Sequence, residues 1–183
     1  VVAMGRAPWQ GTDAEDDDDA VVAESMTRAD VTHLADRRFP SLSGGEKART
    51  SFARALAQRT RVLLLDEPTA ALDIRHQEAL LTEASRLVAE GAAVVVVLHD
   101  LSLAGAYADR VVLLRGGRVR AQGTPHEVLT SALLTEVYEH PVDVIDHPDS
   151  PGPVVLPVRG RRTIHASTSA STTDASTTEE TTL

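Results

Sequence analysis

The amino-acid sequence predicts an α/β fold, a mostly parallel sheet with flanking helices and a helical subdomain. Two short apolar runs, Val62-Leu63-Leu64-Leu65 and residues 93–98, each end in polar residues, Asp66-Glu67 and His99-Asp100. Unbroken apolar runs of this length are the pattern of strands buried on both faces of a parallel sheet. Between them Leu80, Leu81, Ala84, Leu87 and Val88 recur at helical spacing, and Gly91 stops the run. A strand, a helix and a second strand in that order make a parallel crossover unit. Ligands of such sheets gather at the carboxyl ends of the strands, which is where Asp66, Glu67 and His99 fall.

The remaining elements follow from local rules. Residues 1–40 read as polar and helical, and the acidic run at 15–19 reads as a solvated face or helix start. Ser43 followed by Glu46 is a capping box, and Ala48, Phe52, Ala55 and Leu56 then mark the apolar side of a helix. Val111-Val112-Leu113-Leu114, Gly116-Gly117 and Arg118-Val119-Arg120-Ala121 read as a hairpin. Thr124-Pro125-His126-Glu127 is a second capping box, with Pro at the first helical position and a helix expected to about Leu129. Residues 163–183 are mostly Ser, Thr, Ala and acid, a composition that cannot bury enough apolar surface to offset the entropy of ordering. The domains expected are therefore a helical subdomain over 1–40, the main α/β body over 41–160, and a disordered Ser/Thr-rich tail over 161–183.

Composition narrows the function classes. With 42% hydrophobic and 25% charged residues, the chain has the proportions of a globular domain. Aromatic residues make up 3%, so the core must be built from Ala, Val and Leu. A net charge of -9 argues against binding duplex nucleic acid, which needs clustered Lys and Arg. The absence of cysteine excludes disulfides and thiolate metal sites and fits a reducing compartment. No apolar run approaches the roughly 20 residues of a membrane-spanning helix. The chain opens on Val1-Val2-Ala3-Met4-Gly5-Arg6, which reads as a start within a domain, although Met4 could itself be an initiator.

Three stretches carry chemistry. In Leu42-Ser43-Gly44-Gly45-Glu46, a helix N-terminus with two glycines presents backbone N–H groups, a favourable dipole and the Ser43 hydroxyl to an anion such as a γ-phosphate. Two adjacent carboxylates at a strand end, Asp66-Glu67, are costly unless a cation is near. His99 closes the second strand, and Asp73 can cap the helix that starts near Ile74.

Together these stretches resemble the ATP-binding cassette (ABC) ATPases, whose fold is P-loop NTPase-like. Leu42-Ser43-Gly44-Gly45-Glu46 resembles the family signature, and Leu63-Leu64-Leu65-Asp66-Glu67 with Pro68-Thr69 resembles Walker B. Ala71-Leu72-Asp73 is similar to the D-loop, and His99 to the switch histidine. All four stand in the family's order and spacing. The resemblance implies ATP as substrate and Mg²⁺ held by Asp66 through water. It implies that Glu67 polarises the attacking water and that His99 reaches the γ-phosphate. Ser43, Gly44, Gly45, Glu46 and Asp73 would serve a nucleotide held by a second cassette. No G-x-x-x-x-G-K-[ST] motif occurs, and no Q-loop or adenine-stacking aromatic is identifiable, so the cassette is expected to be incomplete at its N-terminal side.

Short segments at both ends of the cassette resemble the iron-chelate and vitamin B12 importers. They are the opening Val1–Arg6, Val97-Leu98-His99-Asp100-Leu101, and Ala106-Tyr107-Ala108-Asp109-Arg110. Leu-His-Asp at the switch, Val137-Tyr138-Glu139-His140-Pro141-Val142-Asp143-Val144, His147-Pro148 and Val154-Val155-Leu156-Pro157 lean toward the hemin importers. That resemblance implies a homodimer docked on a transmembrane permease at the cytoplasmic face of the inner membrane, served indirectly by a hemin- or siderophore-binding protein. His140 and His147 are read as loop residues rather than heme ligands. Two alternatives stay open. An SMC-type chromosome or DNA-repair ATPase shares the run Leu42-Ser43-Gly44-Gly45-Glu46-Lys47-Ala48, and a non-catalytic module would fit a chain without the phosphate loop.

Overall fold

The computed structural model describes residues 1–12 and 17–159. The expected Ser/Thr-rich tail and part of the acidic run at 15–19 lie outside the described residues. The chain begins with a 3₁₀ segment, Val2–Trp9, followed by helix α1 (Asp18–Arg28) and two short 3₁₀ turns, Thr32–Leu34 and Phe39–Ser41. Helix α2 (Gly44–Ala57), strand β1 (Val62–Asp66), helix α3 (Ile74–Ala89), strand β2 (Ala93–Val97) and helix α4 (Leu101–Tyr107) come next. The last third holds β3 (Val111–Arg115), β4 (Arg118–Gly123), the short helices α5 (Pro125–Val128) and α6 (Ser131–Tyr138), and strands β5 (Val142–Ile145) and β6 (Val154–Pro157).

The two apolar runs pair parallel, in register from Val62↔Ala93 to Asp66↔Val97. The other described strands form two antiparallel pairs, β3 with β4 and β5 with β6, so parallel character is confined to the pair that carries the site. The hairpin expected at residues 111–121 is present, with a register shift between Leu113 and Leu114. Both capping boxes form. Ser43 N–H donates to Glu46 Oε2 at 2.7 Å, and Glu46 N–H donates to Ser43 Oγ at 3.3 Å. Thr124 N–H and its hydroxyl both donate to Glu127 Oε2, at 2.8 and 3.0 Å.

The core comes in two parts. The larger joins Val2, Val21, Val31, Leu34 and Phe52 to Leu63, Leu65, Leu80, Leu81 and Leu103, so the opening segment, α1 and the crossover unit share one interior. The smaller gathers Leu113, Val128, Leu129, Leu134 and Val142 under the antiparallel pairs.

Burial of β1 and β2 on both faces does not hold. Leu63 and Leu65 are buried, but Val62 and Leu64 are 57% and 72% exposed, and Val95 and Val97 on β2 are about half exposed. Strand geometry sends alternate side chains to opposite faces, and only one face of this two-stranded sheet is covered. Val88, placed on the buried side of α3 by spacing, is also exposed; Leu80, Leu81 and Ala84 form that side instead.

The opening segment is fastened to the far end of α2. Arg6 is 3% exposed; its Nε donates to Asp18 Oδ1 at 2.5 Å and its Nη1 to the Ala57 carbonyl at 3.1 Å. Trp9 Nε1 donates to the Gln58 carbonyl at 2.7 Å, and the Arg6 guanidinium lies 5.3 Å from the Trp9 ring centroid. These ties seat residues 2–9 on the helix whose other end carries Ser43.

Candidate functional site

The parallel register decides which polar groups meet. Asp66 pairs with Val97 as the last rung of the ladder, and Glu67 N–H continues it by donating to the Val97 carbonyl at 3.1 Å. Both chains therefore leave the sheet at the same end and the same level. One residue beyond β1 stands Glu67, and two beyond β2 stands His99. Their side chains touch: His99 Nε2 lies 2.7 Å from Glu67 Oε1.

This pair is open to solvent, with side chains 77% exposed at His99 and 45% at Glu67. An exposed pair contributes about 0–1 kcal/mol, so it holds a geometry without locking it. Asp66, immediately before Glu67, is exposed at the same strand end. Mg²⁺ is normally held by one or two carboxylates, substrate phosphates and water. Asp66 fits that donor set, since it offers one accessible carboxylate beside a second and needs no closed protein cage.

Glu67 carries a backbone feature that the sequence does not announce. Its φ is 46°, in the left-handed region that non-glycine residues seldom enter. The turn between Asp66 and Pro68 demands it, because Glu67 must still bond to β2 while the chain bends away toward the Thr69 loop. That loop is fixed below by buried Thr69, whose carbonyl accepts from Gln77 Nε2 at 3.2 Å, and by buried Leu72. Strained residues held by their surroundings cluster at functional sites.

The signature segment lies elsewhere. Ser43 caps α2, with Ser43 and Gly44 exposed at its N-terminus. Among the described residues no hydrogen bond or ion pair joins Ser43, Gly44 or Gly45 to Asp66, Glu67 or His99. The segment instead abuts the loop that ends in Asp73: a Cβ at Gly45 would stand 3.1 Å from the Ala71 carbonyl, and one at Gly44 3.6 Å from the Ala71 Cβ. Asp73 does cap α3, its Oδ1 accepting from His76 N–H at 3.0 Å. That bond, the side-chain bond from His76 and the nearby charges of His76 and Arg49 hold the Asp73 carboxyl below its ordinary range. Glu46 is lowered in the same way, first by the Ser43 N–H. The candidate residues thus fall into two sets, Asp66–Glu67–His99 at the sheet end and Ser43–Gly45 against the Asp73 loop. Sequence reasoning missed His76 and Asp30 altogether, because their proximity joins residues 46 positions apart.

Residues 5–70 match the family model described as ABC transporter. The hemin import ATP-binding protein of Nocardia farcinica is 63% identical over 159 residues, 87% of this chain and 55% of that protein. Its counterpart from Thermobifida fusca is 58% identical, over 87% of this chain and 56% of that protein. Among solved structures, an inward-facing metal-chelate type ABC transporter superposes with a TM-score of 0.73 at 29% identity, covering 86% of this chain and 64% of that one. A dimeric bacterial ABC transporter cassette gives 0.62 at 28% identity, over 68% and 54% of the two chains. The chain spans about half the length of the curated relatives it matches.

Proposed function

We propose that this chain, which belongs to the ABC transporter family, forms part of an importer's ATP-binding subunit, coupling MgATP hydrolysis to uptake of hemin through a membrane permease. The observation that carries the reading is the 2.7 Å contact between Glu67 and His99 at the carboxyl end of the parallel pair, with Asp66 alongside. In that reading Asp66 holds Mg²⁺ through water, and Glu67 takes the proton of the attacking water. His99 reaches the γ-phosphate once its contact with Glu67 yields. Ser43, Gly44, Gly45 and Glu46 form the end of α2 that caps a phosphate bound on a second subunit, with Asp73 next to it. The separation of these two sets within one chain supports work as a head-to-tail pair.

The substrate is argued from the relatives, which are hemin import ATP-binding proteins. The metal-chelate type neighbour keeps a ferric siderophore as a second reading, with vitamin B12 beside it. Attachment to the cytoplasmic face of the inner membrane would run through the permease. Among the described residues no helix is long and apolar enough to cross a membrane. The test reconstitutes the full-length protein with its permease and substrate-binding protein in liposomes. MgATP hydrolysis stimulated by hemin and accompanied by hemin uptake is expected. Stimulation by a ferric siderophore instead would move the substrate, and no MgATP hydrolysis at all would overturn the reading. Full-length protein that bound protein-free liposomes as well as permease-containing ones would overturn the attachment.

A further inference from the structure

We propose that His76 is a positioning residue that fastens the Asp73 loop to the Ser43 helix, so that the two move as one body. The inference rests on the ATPase reading above and adds a residue to it.

Four groups from three elements converge here. His76 is the third residue of α3, and its Nδ1 lies 2.6 Å from Oδ1 of Asp73, the residue that caps that helix. The carboxylate can only accept, so Nδ1 carries the proton. The other ring nitrogen, Nε2, faces Asp30 Oδ2 at 3.8 Å. Asp30 follows α1 in a left-handed conformation, φ 53°, and the same oxygen lies 3.9 Å from Nη1 of Arg49 on α2. Asp30 thus stands between the guanidinium of the signature helix and the imidazole of the loop helix. The His76 and Arg49 side chains are 19% and 12% exposed, whereas the Asp30 and Asp73 side chains are 61% and 68% exposed, so the bridge lies at the surface with its cationic and ring partners half sunk.

Packing reaches the same conclusion from the other end. Gly45 approaches the Ala71 carbonyl so closely that an added Cβ would sit 3.1 Å away, a distance few real Cβ contacts show. The start of α2 and the loop before α3 are therefore in contact along their backbones and tied through side chains at Asp30. The outer distances of 3.8 and 3.9 Å exceed a hydrogen bond, so the one short bond is His76 to Asp73, and Asp30 fills the space between that ring and the Arg49 guanidinium. Losing His76 frees the Asp73 carboxylate and cuts its link to Arg49, without touching nucleotide held elsewhere.

The experiment compares full-length wild type with His76→Ala, His76→Gln, Asp30→Asn and the His76→Ala/Asp30→Asn pair, reading kcat and KM for MgATP. The expected result is a kcat about tenfold lower in His76→Ala with KM within about twofold, the mark of an interaction made only in the assembled transition state. His76→Gln keeps a donor for Asp73 and should return kcat to within about threefold of wild type. Asp30→Asn should cost about threefold, and the pair should be no slower than His76→Ala, because both act through one bridge. The proposal is overturned if His76→Ala turns over within twofold of wild type. It is equally overturned if Gln fails to rescue and the two losses multiply. Should His76→Ala not fold, the Gln and Asn variants decide by the same criteria. Wild type without MgATP hydrolysis would sink the parent reading, whereas normal wild type with unaffected variants sinks this proposal alone.

Discussion

His99 and Glu67 meet at 2.7 Å although 32 residues separate them, because the parallel register sends both off the same end of the sheet. In the proposed reaction Glu67 is the base and His99 its neighbour. Glu67→Gln keeps the size and a partner for His99 but removes the basicity. Full-length Glu67→Gln should lose about 10²–10⁴-fold in phosphate release while still binding ATP, and should accumulate as an ATP-bound dimer. Near-normal turnover would show that another group is the base.

The 183-residue chain contains no G-x-x-x-x-G-K-[ST] loop. Phosphoryl transfer depends on holding the phosphates as much as on orienting water. Mg²⁺-dependent phosphate release by the chain alone should therefore sit at background, at least about 100-fold below the same residues within a chain of the relatives' full length. Comparable turnover from the two would refute the dependence.

Glu46 carries a pH signature. Its carboxyl is held below the ordinary value of 4.5, first by the Ser43 N–H, so the native state favours the charged form. A lowered folded pKa adds stability that is complete above about 4.5 and fades as pH falls through the depressed value. Thermal melts of wild type and Glu46→Ala should differ at neutral pH and converge below that point. A gap that widened on acidification would contradict the assignment.

Gly105 in α4 touches the stretch before β6: a Cβ there would lie 2.5 Å from the Pro153 carbonyl. Backbone cannot give way as a flexible side chain does. Gly105→Ala should destabilise the fold by about 1–3 kcal/mol in denaturant titration. Because α4 begins at Leu101, directly after His99-Asp100, turnover should fall as well.

What sequence conveys here divides along range. Capping at Ser43, Thr124 and Asp73 was legible because each cap is settled by residues three apart. The strands at Val62 and Ala93 were legible as apolar runs, but their half-exposed faces were not, since composition does not say how many layers cover a sheet. The β5–β6 pair was missed although its connection, residues 146–153, is rich in Pro, Gly, Asp and Ser, because each flanking strand is only 4 residues long and gives no periodic pattern of its own. At the site, residue types and order singled out Asp66, Glu67, His99 and Ser43 as candidates. The bridge from His76 through Asp30 to Arg49 needed three elements brought together, which no local pattern encodes.

The left-handed backbone at Glu67 bears on how a lesion there would be noticed. A non-glycine residue in that region costs about 1–2 kcal/mol, which Glu67→Gly would relieve. The glycine would in turn loosen the unfolded chain by about 0.4–1 kcal/mol, offsetting part of the gain. Melting curves, expression yield and proteolysis would all report a healthy protein, while the proposed base would be gone. Glu67 is thus a position where folding exerts no pressure to retain the side chain. Only an assay of turnover would reveal its loss.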